Sequence, residues 1–332
     1  MTPLRARSPR IEAIDLARGA ALVAMAVYHF TWDLEFFGYA EAGLTAHGGW
    51  KFFARSIASS FLFLAGVSLF LAHGEEFRRD AFMKRFLQVA GAAAAISAVT
   101  WVAVPSGFIF FGILHQIALA SILGLAFLRL PWFVTLAAAA FFVAGPHVLR
   151  SEFFDHPAWW WVGLSSVNPR SNDYVPLFPW FGAVLTGIAV ARLARGAGLL
   201  DRLARISPGR WSRPLQLAGR HSLAVYLVHQ PVLIACVWAF AQVFPAPQET
   251  REVRFMRSCE RQCAEIRDGE FCTRYCVCML DAIEGAGLAD AVFAGQATAD
   301  LQTRLEDLAS VCTFDTDRGA PVPAPPPEGG SG

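Results

Sequence analysis

The sequence predicts an all-α fold: a multispanning membrane bundle of about seven helices, followed by a small Cys-rich helical tail. Three observations carry this. The 332 residues are 55% hydrophobic and only 17% charged, with a mean hydropathy of +0.41, too apolar for an ordinary soluble domain. Seven apolar runs reach roughly the length a helix needs to cross a hydrocarbon core. Lys and Arg collect in alternate loops between those runs, as the positive-inside rule requires of a polytopic protein. A net charge of +1 gives no sign of nucleic-acid binding.

The spans fall at about residues 13–36, 52–73, 84–104, 107–128, 131–149, 174–194 and 215–243. The first is too long, too charged and too poor in small residues near its end to be a cleaved signal peptide. It reads Ile14-Asp15-Leu16-Ala17-Arg18-Gly19, then an apolar run, then Tyr28-His29-Phe30-Thr31-Trp32-Asp33. At about 100° and 1.5 Å per residue, Arg18 and His29 lie within about 20° of one face and about 16 Å apart. Asp15 and Asp33 fall within about 60° of Arg18 on that face. Ionisable groups at membrane depth cost several kcal/mol unless they face protein or a wet cavity, so this stripe marks a candidate site. The bland alternative is a structural knot in which Asp15 pairs with Arg18 and His29 bonds a neighbouring helix.

The later spans add polar and helix-breaking groups. The fourth holds Leu114-His115-Gln116, and the fifth meets Gly145-Pro146-His147 near its end. Trp159-Trp160-Trp161 suits an interfacial segment. The sixth span opens after Asp173 with Pro176-Leu177-Phe178-Pro179-Trp180, and the seventh carries Arg220-His221-Ser222, Tyr226, His229, Gln230 and Pro231. Tyr226 and His229 share a face at i,i+3, and Pro231 should kink the helix beside them. Polar groups contributed by several spans together predict a shared cavity.

Orientation follows from basic residues. Arg5, Arg7 and Arg10 precede the first span; Arg78, Arg79, Lys84 and Arg85 follow the second; Arg192, Arg195, Arg202, Arg205, Arg210 and Arg213 follow the sixth. All three groups share one side if every span crosses, which makes that side cytoplasmic. The expectation is an integral protein of a bacterial inner membrane, with a cytoplasmic N-terminus and a periplasmic C-terminal tail.

Three regions are expected: a membrane domain over 1–244, a Cys-rich extracytoplasmic helical segment over 245–320, and a disordered Pro/Gly-rich end over 321–332. Pro245-Ala246-Pro247 marks the first boundary. Six of the seven cysteines lie in the tail: Cys259, Cys263, Cys272, Cys276, Cys278 and Cys312. An even count in an oxidising compartment predicts disulfides. Cys259/Cys263 and Cys272/Cys276 are i,i+4 pairs, so an antiparallel helical hairpin would join Cys259 to Cys276 and Cys263 to Cys272, leaving Cys278 for Cys312. That is one of 15 connectivities, and a cytoplasmic tail would favour a zinc site instead.

His29 is the first candidate base, with Asp33 one turn on to orient it. His47 lies in the outer loop as Ala46-His47-Gly48-Gly49-Trp50; by spacing alone it is a solvated loop side chain. His29, His115 and His229 also leave bis-histidine haem ligation open, which needs opposed rings at one depth.

At this point the residues resemble a known family. Arg18, ten residues, then His29 resembles the Arg-x10-His signature of transmembrane acyltransferases. The chain is similar to the heparan-α-glucosaminide N-acetyltransferase catalytic family over roughly residues 10–240. The likeness is carried by the opening from Ile14 to Met25, the second-span run Phe61-Leu62-Phe63-Leu64-Ala65-Gly66-Val67-Ser68, the Pro-Leu-Phe-Pro-Trp run and the last span from Ser222 to Pro231. The resemblance implies transfer of acetyl from cytosolic acetyl-CoA to an amino sugar across the bilayer. It implies that His47, followed by two small residues and Trp50, is the catalytic histidine. The family's assisting Asn corresponds to His29 here.

On this reading His47, His29 and Asp33 carry the chemistry. Asp15, Arg18, His115, Trp180, Tyr226 and His229 line the substrate and acyl-CoA path. Arg78, Arg79 and Arg85 draw in the anionic CoA, and Trp50 and Trp180 stack on a sugar. Acetyl-CoA is the co-substrate, no metal is expected, and the partners are a glycan or amino-sugar acceptor and the bilayer, with a homodimer compatible. An O-acyltransferase of envelope glycans, or a transporter or binding scaffold, are the alternatives.

Overall fold

The structure is a computed structural model, and it describes residues 11–41, 43–206, 209–246, 250–295 and 298–319. Arg5, Arg7, Arg10, Pro247 and the stretch 321–332 lie outside the described residues. Every regular element among the described residues is helical. The chain divides into two compact units, residues 1–246 and 247–332.

In the first unit, α1 (Glu12–Phe36), α2 (Gly48–His73), α3 (Arg79–Ala103), α4 (Ile113–Gly124), α5 (Trp132–Val148) and α6 (Leu177–Gly196) are followed by two short helices, α7 (Leu199–Arg205) and α8 (Arg213–Arg220), and by α9 (Ser222–Val243). Five of these, α1, α2, α3, α6 and α9, are long and apolar enough to cross a membrane, and Ile113–Phe127 and Trp132–Val148 are shorter apolar helices. The seven apolar helices stand where the seven runs were read.

Several boundaries differ from the sequence reading, among them the start of α3, at Arg79 rather than 84. α2 begins at Gly48 rather than 52, because the α1–α2 loop ends in a 3-10 turn over Leu44–Ala46 and extended His47 starts the helix directly. The fourth run begins as a helix only at Ile113, since Pro105–Gly107 forms a 3-10 turn and Gly112 is extended. The seventh run is two helices broken at His221, whose backbone leaves the helical region at φ −103°, ψ 30°. The break lets α8 lie against α1, where a Cβ on Gly19 would collide with the Leu215 carbonyl and one on Gly219 with the Asp15 carbonyl. Pro231 sits inside α9 without ending it.

Glycines also set the centre of the bundle. A Cβ on Gly66 of α2 would land on the Val184 carbonyl of α6, and one on Gly187 would land on the Phe63 carbonyl. Small residues let membrane helices approach until their backbones touch. Around this contact Leu62, Phe181, Val184, Leu185 and Ile188 are almost wholly buried, and α4 and α5 complete the core. Phe178 is extended inside α6, as the residue before a proline prefers.

The second unit holds α10 (Arg251–Cys263), α11 (Gly269–Gly285), α12 (Ala289–Phe293) and α13 (Ala299–Asp317). Cys259–Cys276, Cys263–Cys272 and Cys278–Cys312 are disulfides with Cα separations of 5.8, 5.5 and 5.7 Å. The i,i+4 spacing therefore produced the hairpin pairing. With all six sulfurs bonded, none is a thiolate for the zinc site the sequence also allowed. Cys276 and Cys312 are fully buried, and Ile283 and Met279 pack beside them. Asp268 caps α11 by accepting from the Phe271 amide, and that bonding holds its carboxyl below the usual carboxylate range.

Candidate active site

Two polar layers cross between α1 and α9. In one, the rings of His29 and His229 meet edge-on with centroids 4.9 Å apart. In the other, the Gln230 side-chain amide donates to Asp33 Oδ1 at 2.7 Å, and Asp33 is fully buried. The sequence placed Asp33 to orient His29; its carboxyl is instead bonded across the interface to Gln230. Gln230 follows His229 by one residue, yet nothing in its spacing marks it as the partner of a residue 197 positions away.

The histidine tautomer follows from its partner. His229 Nδ1 lies 2.6 Å from the Tyr226 carbonyl, which can only accept, so Nδ1 carries the proton and Nε2 carries the lone pair. His229 Nε2, Asp33 Oδ2 and Gln230 Oε1 are buried and have no partner. All three are acceptors. A buried polar atom left unpaired costs about 1–3 kcal/mol, so this crossing is complementary to a group rich in N–H or O–H donors.

Tyr226 joins this layer to the rest of the bundle. Its ring packs beside His229 at 5.7 Å, and its hydroxyl hydrogen-bonds the Asp173 carboxyl. Asp173 Oδ2 also accepts from the Ile113 amide at 2.8 Å, capping α4. Gly112 leaves room for it: a Cβ there would strike the same carboxylate. Asp173 thus ties α4, α9 and the loop before α6 together. In the core, Gln116 is fully buried with both amide atoms unpartnered.

Toward the other end of α1, Arg18 bridges Asp15 at 3.2 Å and also donates to Ser68 of α2. Arg220 reaches the second oxygen of Asp15 at 3.5 Å. Here the structural knot formed: one buried carboxylate is held between two guanidinium groups. Nearby, Arg85, Gln88, Arg220 and His221 line a groove of about 490 Å³ between α3 and the α8–α9 corner. Arg78 and Arg79 are exposed at the start of α3.

His115 has both ring nitrogens engaged. Nδ1 accepts from the Gly112 amide at 3.2 Å and Nε2 faces Ser97 Oγ at 3.1 Å. It fixes the α3–α4 corner and has no free lone pair to offer. Trp180 is half-buried against the core. The haem alternative does not fit this geometry, because His29 and His229 are in ring contact with no space for a macrocycle between them.

His47 is exposed and stands at the start of α2, apart from the buried pair. Its Nδ1 lies 3.0 Å from the Gly43 carbonyl, which again assigns the proton to Nδ1 and the lone pair to Nε2. Trp50 packs on Tyr28 with centroids 6.4 Å apart, and Tyr28 meets His29 at 5.7 Å. This aromatic pair runs from His29 to Trp50, three residues beyond His47 in sequence. Outside the spans, Asp155 accepts from both serine hydroxyls and the amide of Ser165-Ser166. Those bonds hold its carboxyl below the usual carboxylate range.

Residues 10–231 match the family model described as "Heparan-alpha-glucosaminide N-acetyltransferase, catalytic". That stretch holds every candidate residue named above. No curated protein and no solved structure gives a significant match.

Proposed function

Because the chain belongs to the heparan-α-glucosaminide N-acetyltransferase catalytic family, a family of membrane acetyltransferases acting on amino sugars, we propose that it moves acetyl from cytosolic acetyl-CoA to the amino group of a sugar on the extracytoplasmic side. The observation that carries the reading is the set of unpartnered acceptors at the α1–α9 crossing, His229 Nε2, Asp33 Oδ2 and Gln230 Oε1. An amino sugar offers donors of the kind these atoms lack; we assign its hydroxyls to this buried crossing and leave the amine for His47.

The donor end fits as well. Coenzyme A is a polyanion, and the groove lined by Arg85, Arg220 and His221 offers charge and hydrogen bonds to phosphate. Arg78 and Arg79 stand exposed at the start of α3 and raise the local concentration of an anion by long-range attraction. The pantetheine arm then runs inward along the stripe begun by Asp15 and Arg18, past Tyr226 and His229.

At the outer end a histidine lone pair takes a proton from the acceptor ammonium or amine. The freed nitrogen attacks the thioester carbonyl, the C–S bond breaks and the coenzyme leaves as thiolate, taking up a proton to become the thiol. His47 Nε2 is the favoured base, being accessible and tautomerically set. His29 and Asp33 hold the acceptor, and Trp50, packed on Tyr28, offers a stacking face for the sugar. A transient acetyl-histidine is the two-step version of the same chemistry.

The test is acetyl transfer from radiolabelled acetyl-CoA to glucosamine by the purified protein, with His47→Ala and His29→Ala alongside. The reading expects labelled N-acetylglucosamine from wild type and loss of about two orders of magnitude or more in His47→Ala, the range general-base catalysis contributes. Transfer to hydroxyls but not amines would favour an O-acyltransferase. No transfer to either from a folded protein would refute an acetyltransferase.

A further inference from the structure

Glu35 is the penultimate residue of α1, outside the stripe that carries Asp15, Arg18, His29 and Asp33. Its carboxylate is used up by the loop that carries His47. One oxygen accepts from the Gly43 amide, and the other accepts from the Thr45 amide at 3.0 Å and the Thr45 hydroxyl at 2.7 Å. Thr45 is buried, and its carbonyl faces the Tyr28 hydroxyl at 3.5 Å. Gly43 adopts φ +78°, a backbone that glycine alone adopts readily. Gly43 is held from both sides: its N–H, in the peptide before its Cα, is bound by Glu35, and its carbonyl, in the peptide after it, meets His47 Nδ1.

We propose that Glu35 is the positioning residue for His47: through Gly43 and Thr45 it fixes the loop so that His47 keeps its proton on Nδ1 and presents its Nε2 lone pair to the acceptor. The carboxylate is suited to this and a neutral amide is not. Three donors converge on it, and a carboxylate has two accepting oxygens and no hydrogens. Glutamine would turn an NH₂ toward one of the loop amides and lose at least one bond. Charge-assisted bonds are also roughly twice as strong as neutral ones. Without them the Gly43 carbonyl is no longer held in line with His47 and both ring nitrogens become available.

This deepens the proposed function and rests on His47 as its base, so the experiment needs one readout that is independent of catalysis. Diethyl pyrocarbonate acylates unprotonated imidazole nitrogens, and peptide mass spectrometry counts the additions on His47. In wild type the proposal expects a single addition, at Nε2. In Glu35→Gln and in Thr45→Val it expects a doubly modified His47, with Thr45→Ser returning toward the single addition because it keeps the hydroxyl. In the transfer assay, both disruptive variants should lower kcat by up to about 100-fold, the cost of a misplacement near 1 Å, with KM for amino sugar and acetyl-CoA within about twofold. The Glu35→Gln/Thr45→Val double variant should be no worse than the worse single, since both act through one device. A single addition on His47 in both Glu35→Gln and Thr45→Val, in protein with wild-type gel-filtration and thermal behaviour, would overturn the proposal. If wild type transfers no acetyl at all, the proposed function fails, while the labelling pattern still decides whether Glu35 sets His47.

Discussion

The Asp33–Gln230 pair gives the sharpest energetic expectation. Gln230→Leu removes the donor that Asp33 Oδ1 uses, and Asp33 Oδ2 is already unpartnered. A carboxyl group with no exposed surface would then have neither oxygen bonded. Hydrogen bonds between membrane helices average about 0.6 kcal/mol and reach about 1.7, and leaving a buried polar group unpaired costs about 1–3 kcal/mol. Full burial puts this pair near the upper end, so Gln230→Leu should destabilise by about 2 kcal/mol. Asp33→Leu strands only a neutral amide and should cost about 1 kcal/mol. The double variant strands neither group. Its loss should fall below the sum of the singles, with a coupling of about 1–2 kcal/mol. The assay is reversible unfolding of the four proteins in mixed micelles by titration with a denaturing detergent. Additivity to within about 0.5 kcal/mol would refute the argument, because independent sites behave that way.

Other outcomes follow from the same structure. Gly66→Ala and Gly187→Ala each push a methyl into a facing carbonyl; overpacking of this kind costs about 1–3 kcal/mol, read as a lower melting temperature, whereas Gly91→Ala, with open space around it, should be near neutral. Disulfide loss should rank by loop length. Sequence separations of 34, 17 and 9 give about 3.8, 3.1 and 2.6 kcal/mol by chain entropy. Double Cys→Ser variants of Cys278–Cys312, Cys259–Cys276 and Cys263–Cys272 should therefore show decreasing sensitivity of the tail to protease. Asp155 predicts a pH effect: its carboxyl is held low by the Ser165-Ser166 bonds, so its contribution is present above the ordinary carboxylate range and is lost as pH falls through the depressed value. Trp160 donates its ring N–H to the Asp155 carbonyl, so tryptophan fluorescence should report loosening on acidification, and Asp155→Asn should remove that transition.

Much of the fold was legible because membrane burial writes itself into composition. Seven apolar runs mark seven helices, and the i,i+4 cysteines specify a stapled hairpin because only one face of each helix meets the other. The α8–α9 break was not legible: residues 215–243 are continuously helix-compatible, and the break depends on Gly219 seating on the Asp15 carbonyl, a contact some 200 residues away in sequence. The α1 stripe divided in space for a similar reason. Helical periodicity puts Asp15, Arg18, His29 and Asp33 on one face, but the partners decide what each does. Two arginines neutralise Asp15, while Gln230 and His229 meet the other end. Glu35 was illegible because its partners lie in a loop whose course depends on a positive-φ glycine. His115 looked like a lining residue until both its nitrogens were seen to be engaged.

The most direct test of the account uses sealed proteoliposomes with the protein in one orientation. Labelled acetyl-CoA is trapped on the side of Arg85 and Arg220, and glucosamine is supplied on the side of His47. The account predicts labelled N-acetylglucosamine in the His47 compartment from wild type and almost none from His47→Ala. Product formed only when donor and acceptor share a compartment, or no product from intact protein, would contradict it.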